Sequence, residues 1–280
     1  MHGLANRFRV FIDVLQWSAL LLVVICTSAQ AQEPILELQY EPHSQSWTRS
    51  ALLQHPAVKE IRVYSAAYGR EITMKALAIT SLLPELSKIS SVQFTALDGF
   101  VANISGQALS GQGQAYLAIE TQQQPWPPLV ENNPAKTESA GPFYLVWLNP
   151  KKAKISDEMW PYQVVKIAVE APLQLRFPEI NPQHRSAPIL NGLAVYLRNC
   201  AVCHAINGGG DARVGPDLNL PFNPTEYFQS AYLRRLIRQP ASVRTWKDSR
   251  MPSFNREAIS DADLAHLVLY LKQMAKQRGK

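Results

Sequence analysis

Apolar and polar residues alternate along Glu60-Ile61-Arg62-Val63-Tyr64, the period of a half-buried strand. The same reading predicts an extended stretch over residues 71–79, entered through a turn at Tyr68-Gly69-Arg70. A hairpin is predicted over residues 92–104, with Val92, Phe94 and Ala96 on one face and Asp98-Gly99 as the turn. Residues 115–120, 143–148 and 164–169 read as further strands, the last two joined through Trp160-Pro161-Tyr162. Short helices are expected over residues 48–54, stopped by Pro56, and over residues 81–86. Residues 122–142 hold Pro125, Pro127, Pro128, Pro134 and Pro142 and read as a long loop with Trp126 inside it. After residue 188 the period becomes helical. One helix is expected over 189–199 and a second over 225–238, capped by Thr225, ended by Pro240, and turning Tyr232, Leu233, Leu236 and Ile237 inward. A third starts at Ser260, with Asp261 and Asp263 favourable in its first turn and Leu264, Leu267, Val268 and Leu271 as its apolar stripe. Between the two patterns, residues 171–188 contain Pro172, Pro178, Pro182 and Pro188 and read as a semi-rigid spacer. The expected fold class is a two-domain α+β chain. A strand-rich, mixed α/β domain over 33–170 and the spacer over 171–188 precede an all-α domain over 189–280.

A length of 280 residues suits two domains of ordinary size. The first 31 residues read as a secretory signal: Arg7 and Arg9, an apolar run over 15–25, and Ala29-Gln30-Ala31 as a cleavage site. The run is short for a membrane span, which needs about 20 residues, so no stable span is expected after cleavage. An uncleaved N-terminal anchor is the competing reading. A lipoprotein signal fits poorly, because Ile25 precedes Cys26 where a small residue is wanted. The cysteines are Cys26, Cys200 and Cys203, so the mature chain has no disulfide framework. Charge is unevenly divided. Residues 184–280 carry 14 Lys and Arg against 7 Asp and Glu, whereas residues 33–183 carry 12 against 14. The basic half, with Arg234, Arg235 and Arg238 as part of a rim, suggests a partner protein with an acidic docking surface. A positive face kept for solubility is the alternative, and nucleic acid is a poor candidate partner.

The most specific chemistry lies in Cys200-Ala201-Val202-Cys203-His204. The C-x-x-C-H spacing is the attachment sequence of a c-type haem, with two thiols for thioether bonds and a histidine next in line as iron ligand. A bare C-x-x-C is also compatible with a redox dithiol or half a zinc site, but zinc needs two more ligands, and no other Cys or paired His lies nearby. From Gly192 onward the chain resembles a class I monohaem cytochrome c. The carrying residues are Gly192 and Tyr196 four apart on the leading helix, the motif itself, Gly208-Gly209-Gly210, Val214-Gly215-Pro216-Asp217-Leu218, and Arg250-Met251-Pro252. The resemblance implies one covalent haem c on Cys200 and Cys203, with His204 and Met251 as axial ligands. It also implies that the Pro216 carbonyl accepts the other N–H of His204, a bond that orients the ring. His266 and Met274 compete with Met251. Haem of this type is attached outside the cytoplasm in bacteria, so the family agrees with the leader on a periplasmic location.

A second resemblance covers roughly residues 36–170. The strands about Tyr68-Gly69, Leu97-Asp98-Gly99-Phe100 and Gly141-Pro142-Phe143-Tyr144-Leu145-Val146 are similar to the sulfite-oxidase-type molybdopterin-binding domain. That family holds molybdenum through a cysteine thiolate, and no cysteine lies between Cys26 and Cys200. Arg49, Arg62 and Arg70 are the only arginines there before Arg176. The expectation is a metal-free relative without molybdenum, with an unrelated small β domain as the other reading. His43 and His55 are lone residues, and no Ser/His/Asp set, paired carboxylates or phosphate loop stands out. The functional expectation is an electron carrier rather than an enzyme, its strand-rich domain a docking module whose proline-rich loop around Trp126 meets the partner. The alternatives are a haem- and molybdopterin-containing oxidoreductase subunit and a ligand-binding haem protein.

Overall fold

The computed structural model describes residues 33–130, 136–153, 155–245 and 249–278. The secretory leader and Cys26 lie outside the described residues. Residues 33–280 form one compact unit, of which the first part is built on two sheets.

Strands β1 (Ile35–Tyr40) and β2 (His43–Thr48) open the chain as an antiparallel hairpin. Helix α1 (Arg49–Leu53) follows, with the Thr48 side chain accepting from the Ala51 N–H. Strands β3 (Lys59–Ser65) and β4 (Arg70–Ala78) pair antiparallel. The alternation of β3 buries Ile61, Val63 and Ser65 and leaves the residues between them in solvent. Strands β5 (Val92–Ala96) and β6 (Val101–Ile104) form the expected hairpin. Helix α2 (Gly106–Ser110) leads to β7 (Ala115–Ile119), β8 (Phe143–Trp147) and β9 (Val164–Val169). One sheet has the order β2-β1-β9-β5-β6, with β1 and β9 parallel, and the other the order β3-β4-β7-β8. Every residue of β8 is buried. Although it ends its sheet, its outer edge is covered: the Leu145 N–H donates to the Pro161 carbonyl (3.0 Å), and the Trp147 Nε1–H donates to the Met159 carbonyl (2.7 Å). Both sheets share one apolar core, and Trp126 and Tyr144 belong to it.

Several expectations change here. β1 and β2 were not foreseen, because β2, His-Ser-Gln-Ser-Trp-Thr, has almost no apolar face and is held by its partner. The helix expected over 81–86 is replaced by two 3₁₀ turns, Ile79–Ser81 and Leu86–Lys88. Pro84 supplies no N–H, and Glu85 takes a left-handed φ of 51°, which breaks the helical path. Trp126 is not a surface residue. Its ring is buried and lies edge-on to Tyr144, 6.3 Å between centroids, while its backbone N–H donates to the Glu120 carboxylate.

The proline-rich stretch is not a free spacer. It contains α3 (Leu173–Arg176) and a 3₁₀ turn, Pro178–Ile180, and it buries Leu173 and Ile180 in the helical core. Helix α4 (Ala187–Asn199) starts two residues earlier than expected, since Pro188 fits the first turn. The helix expected over 225–238 is broken into α5 (Pro224–Tyr227) and α6 (Ser230–Arg238). Asn223 caps α5 in a capping box with Glu226, in place of Thr225. Leu233 and Ile237 are buried, but the break turns Tyr232 outward. The last helix, α7 (Asp261–Ala275), is capped by the Ser260 hydroxyl and buries its whole expected stripe. Among the described residues no helix is long and apolar enough to cross a membrane.

The tightest helix contact is α4 against α7. A Cβ on Gly192 would overlap the His266 carbonyl oxygen and the Tyr270 Cβ. Tyr196 and Tyr270 stack beside it, 5.6 Å between ring centroids. A helical Gly→Ala change ordinarily stabilises by about 1 kcal/mol, whereas overpacking a tight contact costs about 1–3 kcal/mol. Overpacking wins here because the clashing atom is backbone. Gly192→Ala is expected to lower stability in a denaturant melt of the holoprotein. A gain would show that the helices separate freely.

Candidate haem site

The C-x-x-C-H segment continues the C-terminal end of α4. Cys200 and Ala201 N–H groups both donate to the Tyr196 carbonyl, and the Cys203 and His204 N–H groups both donate to the Cys200 carbonyl. The Tyr196 hydroxyl donates to the His204 carbonyl (2.8 Å), so the ligand histidine is fixed to the helix that precedes it. Both cysteines are free thiols, and burial raises them, Cys200 to about 12 and Cys203 to about 11. Both are therefore neutral thiols near pH 7.

The segment after the glycines runs back alongside this turn. The Gly215 N–H donates to the Cys203 carbonyl and the Leu218 N–H to the Ala205 carbonyl, both at 2.8 Å. This places the Pro216 carbonyl 2.7 Å from His204 Nδ1. Desolvation pushes the His204 pKa down, so the imidazole is neutral near pH 7, with Nδ1–H donating to Pro216 and the Nε2 lone pair unspent. A Cβ on Gly215 would clash with the imidazole, 2.5 Å from its Nδ1. Asp217 anchors the loop by accepting from the N–H groups of Asn207, Gly208, Asn219 and Leu220. Asn219 and Asn223 then cap the free carbonyls of Met274 and Leu271 at the end of α7.

Met251 lies half-buried against the helical core. Its loop is held by Arg238, which donates to the carbonyls of Phe254 and Asn255 (3.0 Å each) and of Ile259, and pairs with Asp261 (2.8 Å). Arg238 is therefore an internal brace and not part of a basic rim, since three carbonyls and a carboxylate claim its guanidinium. Arg235 is likewise engaged with the Ser242 hydroxyl. Of the two competitors for the iron, Met274 is fully buried in the helix core. His266 sits on α7, where its carbonyl lies under Gly192.

The cysteine edge of the site faces the strand-rich half. Val202 is part of the sheet core and Cys203 packs against it. Tyr162, half-buried between β8 and β9, is within electrostatic reach of Cys203, Asp98 and Arg250. Glu158 lies near Cys200, its carboxyl raised by burial and one of its oxygens without a hydrogen-bond partner. Arg238, expected on a basic rim, carries a sequence signal for its actual place, an arginine on the inward side of an amphipathic helix, whereas Tyr162 and Glu158 owe theirs to tertiary packing alone.

These residues fit a haem c: two thiols, a neutral histidine with a fixed tautomer, and a glycine that leaves room for its ring. Residues 189–275 match the family model described as Cytochrome c. No curated protein matches the chain. The matched segment is thus a cytochrome c domain, a haem-binding module of electron carriers, following a strand-rich region.

Gly215→Ala is expected to drive the His204 ring off the Pro216 carbonyl and to reduce the yield of covalently loaded protein. The pyridine haemochrome absorbance per chain reads this directly, and a full yield with an unchanged spectrum would show that the ring does not depend on that gap.

Proposed function

We propose that the chain is an exported, periplasmic one-electron carrier with one haem c. Cys200 and Cys203 hold the group covalently, His204 is the proximal ligand, and Met251 is the distal one. The observation that carries this reading is the 2.7 Å pairing of His204 Nδ1 with the Pro216 carbonyl, which leaves Nε2 as the only nitrogen free to bind iron. Haem c supplies reversible one-electron chemistry, and a protein with two axial ligands leaves no open position for a substrate. The protein's part is to hold the imidazole neutral and oriented, to keep Met251 in a braced loop, and to exclude water from the cysteine edge.

The strand-rich half is proposed as the docking module for the redox partner, whose acidic surface the basic cytochrome half would steer, and it carries no molybdenum in this reading. The absence of any cysteine between Cys26 and Cys200 supports this, because a thiolate is the metal ligand in the family it resembles. A ligand-binding haem protein would require Met251 to be off the iron, and a haem- and molybdopterin-containing oxidoreductase subunit would require another metal ligand.

A pyridine haemochrome assay is expected to return one c-type haem per chain. The oxidised protein is expected to show the near-infrared sulfur-to-iron charge-transfer band and to lose it in Met251→Ala. Persistence of the band in that variant would transfer the ligand role to another sulfur. Electron transfer with the physiological partner is expected to slow as salt rises, because exposed charges more than about 8 Å apart are largely screened at physiological ionic strength. A rate constant independent of salt would remove steering from the account.

A further inference from the structure

The β5–β6 hairpin lies against the cytochrome segment and touches it at three levels, the middle one on the haem-attachment turn. At its base, Asp211 of the glycine-rich loop accepts from Gln93 of β5 (2.9 Å) and, at both oxygens, from Arg176 of α3 (2.7 Å each). Arg176 also donates to Asn103 of β6 (3.3 Å) and to the Ala171 carbonyl (2.9 Å). The Arg176 and Asp211 side chains are only 19% and 18% exposed. In the middle, the Val101 N–H donates to the Val202 carbonyl (3.1 Å), a direct backbone bond between β6 and one of the two residues between the cysteines. At the tip, the Gly99 carbonyl is 3.5 Å from the Arg213 N–H, and Asp98 pairs with Arg250 (3.2 Å), the neighbour of Met251.

We propose that this hairpin is a fixed cap over the cysteine-bearing edge of the haem, latched by Arg176 and Asp211, and that it keeps water and small redox reagents off that edge. The inference rests on the electron-carrier reading and deepens it. An exposed pair at the tip contributes little by itself, roughly 0–1 kcal/mol. The base is different, because a bidentate arginine–carboxylate pair with its remaining oxygens and nitrogens satisfied is geometrically specific. Breaking one partner leaves a poorly solvated charge, which is strongly unfavourable. Arg176 and Asp211 are positioning residues, since they act on the haem environment through the hairpin.

The oxidised haem carries one more positive charge than the reduced haem, so water admitted to its edge stabilises the oxidised state and lowers the potential. The two latch residues separate this effect from plain electrostatics. Loss of a positive charge in Arg176→Gln lowers the potential by charge alone, whereas loss of a negative charge in Asp211→Asn raises it. If the hairpin is a cap, both variants are expected to lower the potential in a spectroscopic redox titration. Both are also expected to be reduced several-fold faster by a small neutral hydroquinone. Opposite shifts with unchanged rates would overturn the cap. The paired Gln93→Ala and Asn103→Ala variant changes no charge and leaves the cytochrome segment intact. It should move potential and rate in the same directions, so the proposal stays testable if a latch variant misfolds. Absence of covalent haem from the wild-type chain would overturn the electron-carrier reading and the cap together. A full haem complement with potentials and rates unmoved in these variants would overturn the cap alone.

Discussion

One imidazole orientation governs the helical half. His204 presents Nε2 because its Nδ1–H is taken by Pro216, and that carbonyl arrives only because residue 215 has no side chain. Bringing residues 215–218 back beside 203–205 needs a tight loop, and Asp217 holds that loop through four backbone N–H groups. The same loop continues into Asn219 and Asn223, which satisfy the carbonyl end of α7. Helix α7 in turn closes on α4 at Gly192, and α4 ends in the attachment turn. The network is a ring of dependencies, so a fault at any one point is felt at the histidine.

The two halves of the chain share a polar seam instead of a flexible tether. A tether would act by raising effective concentration, with each half free to reorient. Leu173 and Ile180, from the stretch between them, are buried in the helical core, and Arg176 from the same stretch pairs with Asp211. Val202, from the attachment turn, is buried in the sheet core. The connecting stretch thus contributes apolar residues to the helical core and the attachment turn contributes Val202 to the sheet core, which makes independent motion cost buried surface at about 25 cal/mol per Å².

The strands with apolar periodicity were legible, and β5, β6 and β9 fall within a residue of expectation, because alternation and the Asp98-Gly99 turn are local signals. β1 and β2 were not, since β2 is polar and its place comes from pairing with β1. Proline misled in two directions. Its density over 171–188 reads as a semi-rigid spacer, yet Pro178 begins a 3₁₀ turn and Pro188 lies in the first turn of α4, where a missing N–H is harmless. In the long loop it suggested exposure, yet Trp126 is pinned through Glu120 into the core. The site motif was legible because covalent chemistry demands a fixed spacing. Arg238, Tyr162 and Glu158 reach the site by tertiary contact, which spacing does not encode.

The helical half has an apolar core of its own, yet it does not pack in isolation. Here the two cysteines and the histidine fit a covalent group that would fill the space between α4, the glycine loop and the Met251 loop. The sheet core lies against the attachment turn, where Cys203 packs on it. Tyr270 ties the arrangement together from within: its ring stacks on Tyr196 and its hydroxyl donates to the Ile180 carbonyl, ahead of the matched segment. The physical unit that carries the haem motif therefore begins before residue 189 and includes the hairpin that lies on it.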